Sequence, residues 1–180
     1  ICKKNSDTKG GFPLTRGRET IQWPDSARSI RSGTMVSGAL TLRVVVADDS
    51  VPVRKRTVAL LSELPQVRVA AETADVQATI ECVRKLRPHL VLLDMCMPGG
   101  SGLDVMAAIQ AARIPALAVV LTNDSEPECE TRARRAGAIA FFDKSRDFLK
   151  AVDFIKDFSE RSFHPNPGPV VLRGADRQPN

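Results

Sequence analysis

LRVVVADDS, residues 42–50, sets a run of Val and Ala against two adjacent aspartates, Asp48 and Asp49. Three later stretches repeat the design. HLVLLDM (89–95) reaches Asp94, ALAVVLTND (116–124) reaches Thr122, and AIAFFDKS (138–145) reaches Lys144. Each run is short, rich in Val, Leu, Ile or Phe, and followed by a segment with helical spacing, which reads as a strand and then a helix. Continuous apolar runs suit strands buried on both faces, as in a parallel sheet covered by helices on each side. Ligands of such a sheet gather beyond the carboxyl ends of its strands. Asp48, Asp49, Asp94, Thr122 and Lys144 would then meet in one place: three carboxylates, a hydroxyl and an ammonium.

Outward from these runs the alternation is regular. A strand at 42–47 leads to a helix at about 51–64, with Val53, Leu60, Leu61 and Leu64 on one face. A strand at 67–71 precedes a helix at about 75–86 that carries Ile80, Val83 and Leu86. The strand at 89–94 precedes a helix at about 102–112, where Ser101 and Asp104 have capping-box spacing. A strand at 116–121, a helix at about 126–136, a strand at 138–142 and a helix at about 146–160 complete the series. Phe148, Val152, Ile155 and Phe158 form the apolar stripe of the last helix. Five strands alternate with five helices.

Length and composition agree with one domain: 180 residues with 43% hydrophobic content. No apolar stretch approaches the roughly 18 residues of a membrane span, and the opening ICKKNSDTKGGFP lacks the apolar core of a secretory signal. Cys2, Cys82, Cys96 and Cys129 are scattered without a CxxC pair, which suits reduced thiols in a cytoplasmic protein. The net charge of +5 belongs to the ends of the chain. Residues 1–34 hold seven Lys/Arg against three Asp/Glu, and residues 161–180 hold three Arg against one Asp. The middle, 35–160, holds 16 basic against 17 acidic residues, so a nucleic-acid role for the whole domain is disfavoured. Residues 1–38 read as a disordered or loosely ordered basic extension, and 161–180, with Pro165, Pro167, Pro169 and Pro179, as a disordered tail. Met35 stands just before the first strand; a start there would make residues 1–34 an upstream extension, and a native product containing Trp23 would overturn that reading.

Asp48, Asp49 and Asp94 set the chemistry. Carboxylates forced together at strand ends repel one another and gain affinity for a proton or a divalent cation. Three carboxylates without a His or thiolate cluster suit Mg2+ better than zinc. An ionised Asp can also serve as a nucleophile toward phosphorus. Lys144 can pair with a carboxylate at rest and with a phosphoryl oxygen afterwards, and the Thr122 hydroxyl can donate to the same group, in a transfer governed by positioning and electrostatics.

The words VVVADDS, VLLDMCMPGGSGLDVM, VVLTND and AGAIAFFDKS together resemble the receiver domain of two-component response regulators, over about residues 42–160. DMCMPGGSGLD is the most specific, since the Asp, the Met-Pro and the following Gly keep the family's spacing. The resemblance implies an α/β, flavodoxin-like doubly wound five-stranded parallel sheet of order 2-1-3-4-5 with five flanking helices. It further implies a phosphoacceptor, Asp94; Mg2+ held by Asp48, Asp49, Asp94 and the backbone carbonyl of Cys96; phosphoryl contacts from Thr122 and Lys144; and a switch formed by Thr122 and Phe141.

Several positions depart from the family's habit. Ser145 follows the lysine where Pro is common, Asn123 stands where a small residue is common, and Cys96 and Asp124 occupy positions that tune dephosphorylation. In the segment SEPECETRARRAG the apolar stripe is only Cys129, Ala133 and Ala136. Ser125 and Glu128 have capping-box spacing, and Glu128–Arg132 and Glu130–Arg134 are i,i+4 pairs. So lightly held a helix suits a switch.

The resemblance thus implies a signalling module rather than an enzyme beyond its own phosphoryl acceptance and hydrolysis. Its partners would be a histidine kinase or phosphotransfer protein and a downstream protein target, with a phosphorylation-dependent homodimer through the 126–160 face as one form of output. No sequence-specific nucleic-acid contact and no membrane contact are expected. The alternative is a receiver fragment of a longer DNA-binding response regulator or a hybrid kinase. A haloacid-dehalogenase-like phosphatase would carry a second Asp where Cys96 stands, and a flavodoxin would need a phosphate cradle where Asp48 and Asp49 repel phosphate.

Overall fold

The computed structural model describes residues 41–163. Expectations for the 1–38 extension, for Met35 and for residues 164–180 lie outside the described residues. The elements are β1 Leu42–Ala47, α1 Val51–Ser62, β2 Val67–Thr73, α2 Val76–Leu86, β3 Leu90–Leu93, β4 Cys96–Met97, β5 Gly100–Ser101, α3 Gly102–Ala111, β6 Leu117–Thr122, α4 Pro127–Arg135, β7 Ala138–Asp143 and α5 Phe148–Phe163. β4 and β5 form a small antiparallel pair of their own. The remaining strands form one sheet of order β2-β1-β3-β6-β7, every neighbouring pair parallel. Counted along the chain, that is the expected order 2-1-3-4-5 of the flavodoxin-like doubly wound fold.

The central strands β1, β3 and β6 are buried on both faces, and successive side chains point to opposite sides. Val44 and Val46 of β1 join Leu61 of α1 and Ile155 and Phe158 of α5 in one core layer. Val45 and Ala47 join Val83 of α2, Val105 and Met106 of α3, and Cys129 and Ala133 of α4 in the other. Both outer strands carry an extra residue. The register steps from Val44↔Val69 to Val45↔Ala71, passing over Ala70, and from Ala118↔Ala138 to Val119↔Ala140, passing over Ile139.

Helix starts separate the caps that form from those that do not. Ser101 and Asp104 make the expected capping box on α3: Ser101 Oγ accepts from Leu103 N at 3.1 Å, and Asp104 Oδ2 accepts from Ser101 N at 2.8 Å. The Ser125–Glu128 box does not form. Glu126 is the N-cap of α4, and Pro127 opens the helix, where a missing N–H costs nothing. Ser50 occupies the N-cap of α1 but makes no side-chain cap bond. The last helix begins at Phe148 and runs to Phe163, so residues 161–163 belong to it rather than to the tail. Its later start follows from a turn at 144–147, in which Asp143 Oδ1 accepts from Ser145 N at 2.7 Å and Arg146 N at 3.0 Å.

Candidate functional site

Backbone hydrogen bonds carry the sheet one step past its strand ends and fix where the site residues stand. Asp48 N donates to Thr73 O at 3.1 Å, Asp94 N to Ala47 O at 2.9 Å, and Lys144 N to Thr122 O at 2.9 Å. The side chains then converge. Lys144 Nζ lies 2.8 Å from Asp48 Oδ2 and 2.6 Å from Asp94 Oδ2, with all three side chains only 5–6% exposed. The remaining oxygens are held from the backbone: Asp48 Oδ1 accepts from Ser50 N at 2.9 Å, and Asp94 Oδ1 from Cys96 N at 3.3 Å. Asp49 is exposed, and one carboxylate oxygen from each of Asp48, Asp49 and Asp94 falls within 4.8 Å of the others.

The charges do not balance. One ammonium among three carboxylates leaves two negative charges uncompensated, and burial strengthens the imbalance. Burial pushes the Asp48 carboxyl above its ordinary 3.8; the Lys144 hydrogen bond and charge and the Ser50 N–H pull back only in part, and Asp94 adds to the rise. Burial likewise presses the Lys144 ammonium downward, but hydrogen bonds and attraction from Asp48 and Asp94 outweigh it and leave its pKa above 10.5. A donor set of hard oxygens with two charges to spare fits a small divalent cation.

Thr122 is fully buried at the end of β6, and its Oγ1 accepts from Asp124 N at 3.1 Å. Phe141 is partly buried against the α2–α3–α4 core layer, paired in register with Val120. Cys96, Asp124, Cys129 and Arg132 line a crevice beside the carboxylates. Burial first, with Asp124 and Cys96 alongside, pushes the Cys129 thiol up to about 11. On α4 the Glu130–Arg134 pair closes at 3.1 Å, whereas Arg132 borders the crevice.

Three residues of this neighbourhood escape a reading by strand ends. Arg54 of α1 donates to the backbone carbonyl of Asp48 and reaches Glu72 at 3.5 Å, gripping the loop that carries Asp48 and Asp49. Gly102 lets α3 start against the preceding loop, since a Cβ there would sit 2.7 Å from the Asp94 carbonyl oxygen. Asp143 organises the turn that follows Lys144. Arg54 acts on backbone carbonyls five and six residues before it, and Asp143 on N–H groups two and three residues after it. The signal available for Asp143 was its place beside the lysine; for Gly102 it was its place in DMCMPGGSGLD.

Residues 44–156 match the family described as response regulator receiver domain. The protein described as "Probable transcriptional regulatory protein NarL" of Mycobacterium tuberculosis is 34% identical over 114 residues, covering 62% of this chain and 53% of that protein. A protein-glutamate methylesterase/protein-glutamine glutaminase of Myxococcus xanthus is 31% identical over 149 residues, 72% of this chain and 42% of its own length. The chain therefore spans about half the length of these curated relatives. Among solved structures, the signal receiver domain of the M. tuberculosis response regulator NarL superposes with a TM-score of 0.63 at 30% identity, covering 67% of this chain and 98% of that domain. With the family's fold, its strand-end aspartates and its lysine in place, the chain belongs to the response regulator receiver domains of two-component systems.

Proposed function

We propose that this receiver accepts a phosphoryl group on Asp94 from a histidine kinase or phosphotransfer protein, and signals by a changed surface to a downstream protein. The observation that carries this reading is the Lys144 ammonium bridging Asp94 and Asp48 at 2.6 and 2.8 Å beside a third carboxylate. Asp94 offers an oxygen at the bottom of the site, and its other oxygen is oriented by the Cys96 N–H. Asp48, Asp49, Asp94 and the Cys96 carbonyl would hold Mg2+, which when bound supplies charge neutralisation for the phosphoryl oxygens. Lys144, already within reach of Asp94, would shift its hydrogen bond to a phosphoryl oxygen. Thr122 would give up its loop contact with the Asp124 N–H and turn its hydroxyl to the same group. That movement makes room for Phe141 to pack further inward and re-poses α4 and the neighbouring face of α5, which would bind the partner or a second copy.

The test uses the full chain with Mg2+ and phosphoramidate, followed by intact mass. Wild type gains one phosphoryl group and Asp94→Ala gains none; equal labelling of the two, or none in wild type, removes the reading. A second reading places this receiver within a longer DNA-binding regulator or hybrid kinase. The greater length of the NarL relative, whose name is that of a transcriptional regulator, supports it. The reading frame around the coding sequence decides between them.

A further inference from the structure

Lys144 can bridge two carboxylates only if the chain on either side of it is held. On its N-terminal side the sheet does this, through Lys144 N to Thr122 O. On its C-terminal side the turn at 144–147 contains neither proline nor glycine. Its order comes from one side chain. Asp143 Oδ1 accepts from Ser145 N at 2.7 Å and Arg146 N at 3.0 Å, while Asp147 N donates to Asp143 O at 2.8 Å. Asp143 Oδ2 takes Arg146 Nη2 at 3.1 Å.

The same carboxylate reaches beyond its own turn. Arg146, paired with that carboxylate, also donates from Nη2 to Ser125 Oγ, on the loop between β6 and α4, at 3.5 Å. Asp143 is opposite Thr122 in the β6–β7 register, so it stands between the two loops that carry Thr122 and Lys144. Its side chain is 10% exposed, whereas that of Arg146 is 71% exposed, so the carboxylate is shielded while its counter-charge stays in solvent. The nearby Ser125 hydroxyl, backed by the Ser145 and Arg146 N–H groups and the Arg146 charge, holds the Asp143 carboxyl down to about 2 against desolvation, so it is ionised at neutral pH.

We infer that Asp143 is a positioning residue: its carboxylate sets the 144–147 turn and holds Arg146, which clips that turn to Ser125, keeping the Lys144 ammonium on Asp94 and tying the Thr122 loop to the start of α5. This rests on Asp94 as phosphoacceptor for its kinetic consequence, but not for the clip itself.

Two measurements on the full chain test it. In Asp143→Ala the initial rate of labelling by phosphoramidate with Mg2+ should fall by about 10- to 100-fold, since misplacing a catalytic group by an ångström has that cost. Affinity for Mn2+, read by electron paramagnetic resonance, should hold to within about threefold, because Asp48 and Asp94 keep their backbone donors, and the loop that carries Asp49 is not part of the 144–147 turn. Asp143→Asn, which retains an oxygen for the Ser145 and Arg146 N–H groups, should recover most of the rate. Amide exchange without phosphodonor should quicken in Asp143→Ala at both 123–126 and 144–147. A wild-type labelling rate in Asp143→Ala, a parallel loss of Mn2+ affinity, failure of Asn to rescue, or quickened exchange at 144–147 alone would each overturn the inference. If wild type takes no phosphate while both loops loosen in Asp143→Ala, the acceptor reading falls and the clip stands.

Discussion

Lys144 neutralises one carboxylate while touching two, and the behaviour of the site without metal follows from that shortfall. Replacing Lys144 by Met leaves Asp48 and Asp94 facing each other in a buried place, where breaking such a pair costs about 3–5 kcal/mol. Urea unfolding should show this loss, and Mg2+ should restore part of it by binding the folded form; a midpoint indifferent to Mg2+ would argue against a cation site. The pH dependence has a definite sign. Because the fold raises the Asp48 carboxyl, its contribution to stability is complete below the ordinary value of 3.8 and is lost as pH climbs through the raised one. In metal-free buffer, Asp48→Asn should therefore gain on wild type as pH rises from about 4 to 7, and a constant difference would contradict the assignment. Asp48, Asp94, Thr122 and Lys144 could be read from the sequence because a strand end is a local signal. Asp143 and Arg54 act on backbone groups within six residues of themselves, and their residue types alone do not single out those contacts.

At the scale of elements, α3 and α4 differ in what holds them. α3 starts with a closed capping box and packs its first residue on the loop after Asp94. Ser101→Ala should cost about 1 kcal/mol in urea unfolding. Gly102→Ala should cost more, about 1–3 kcal/mol, because its Cβ would press on the Asp94 carbonyl oxygen; equal costs would contradict that contact. α4 buries only Cys129 and Ala133 and lacks a side-chain cap. Such a helix is a ready candidate for displacement. Beryllofluoride with Mg2+ should alter amide exchange across 123–142, and unchanged protection there would remove the switch. The sequence showed α4 and its small apolar stripe. It misled on the cap, because Ser125 has the right spacing for a box yet Glu126 takes the N-cap and Pro127 starts the helix.

On the scale of the molecule, the sheet divides the core into two unequal layers. The α1–α5 layer holds Leu61, Ile155 and Phe158, whereas the α2–α3–α4 layer ends in small side chains at Cys129, Ala133 and Ala138. Motion of α4 in the second layer would leave α1 and the sheet-facing side of α5 as a fixed base. This architecture was legible because strands buried on both faces write uninterrupted apolar words. The positions of Ala70 and Ile139 were not, since passing over a residue depends on the neighbouring strand.

Those two skipped residues have a consequence for molecules crowded together. Among the described residues β2 and β7 are the flanks of the sheet, and an uncovered flank is a template on which foreign strands can add, ending in fibrils. An extra residue kinks each flank and spoils the even row of donors and acceptors that a newcomer would need. Deleting Ala70 should therefore shorten the lag before light scattering and thioflavin fluorescence rise in concentrated solution, and an unaltered lag would mean that charge rather than shape guards that border.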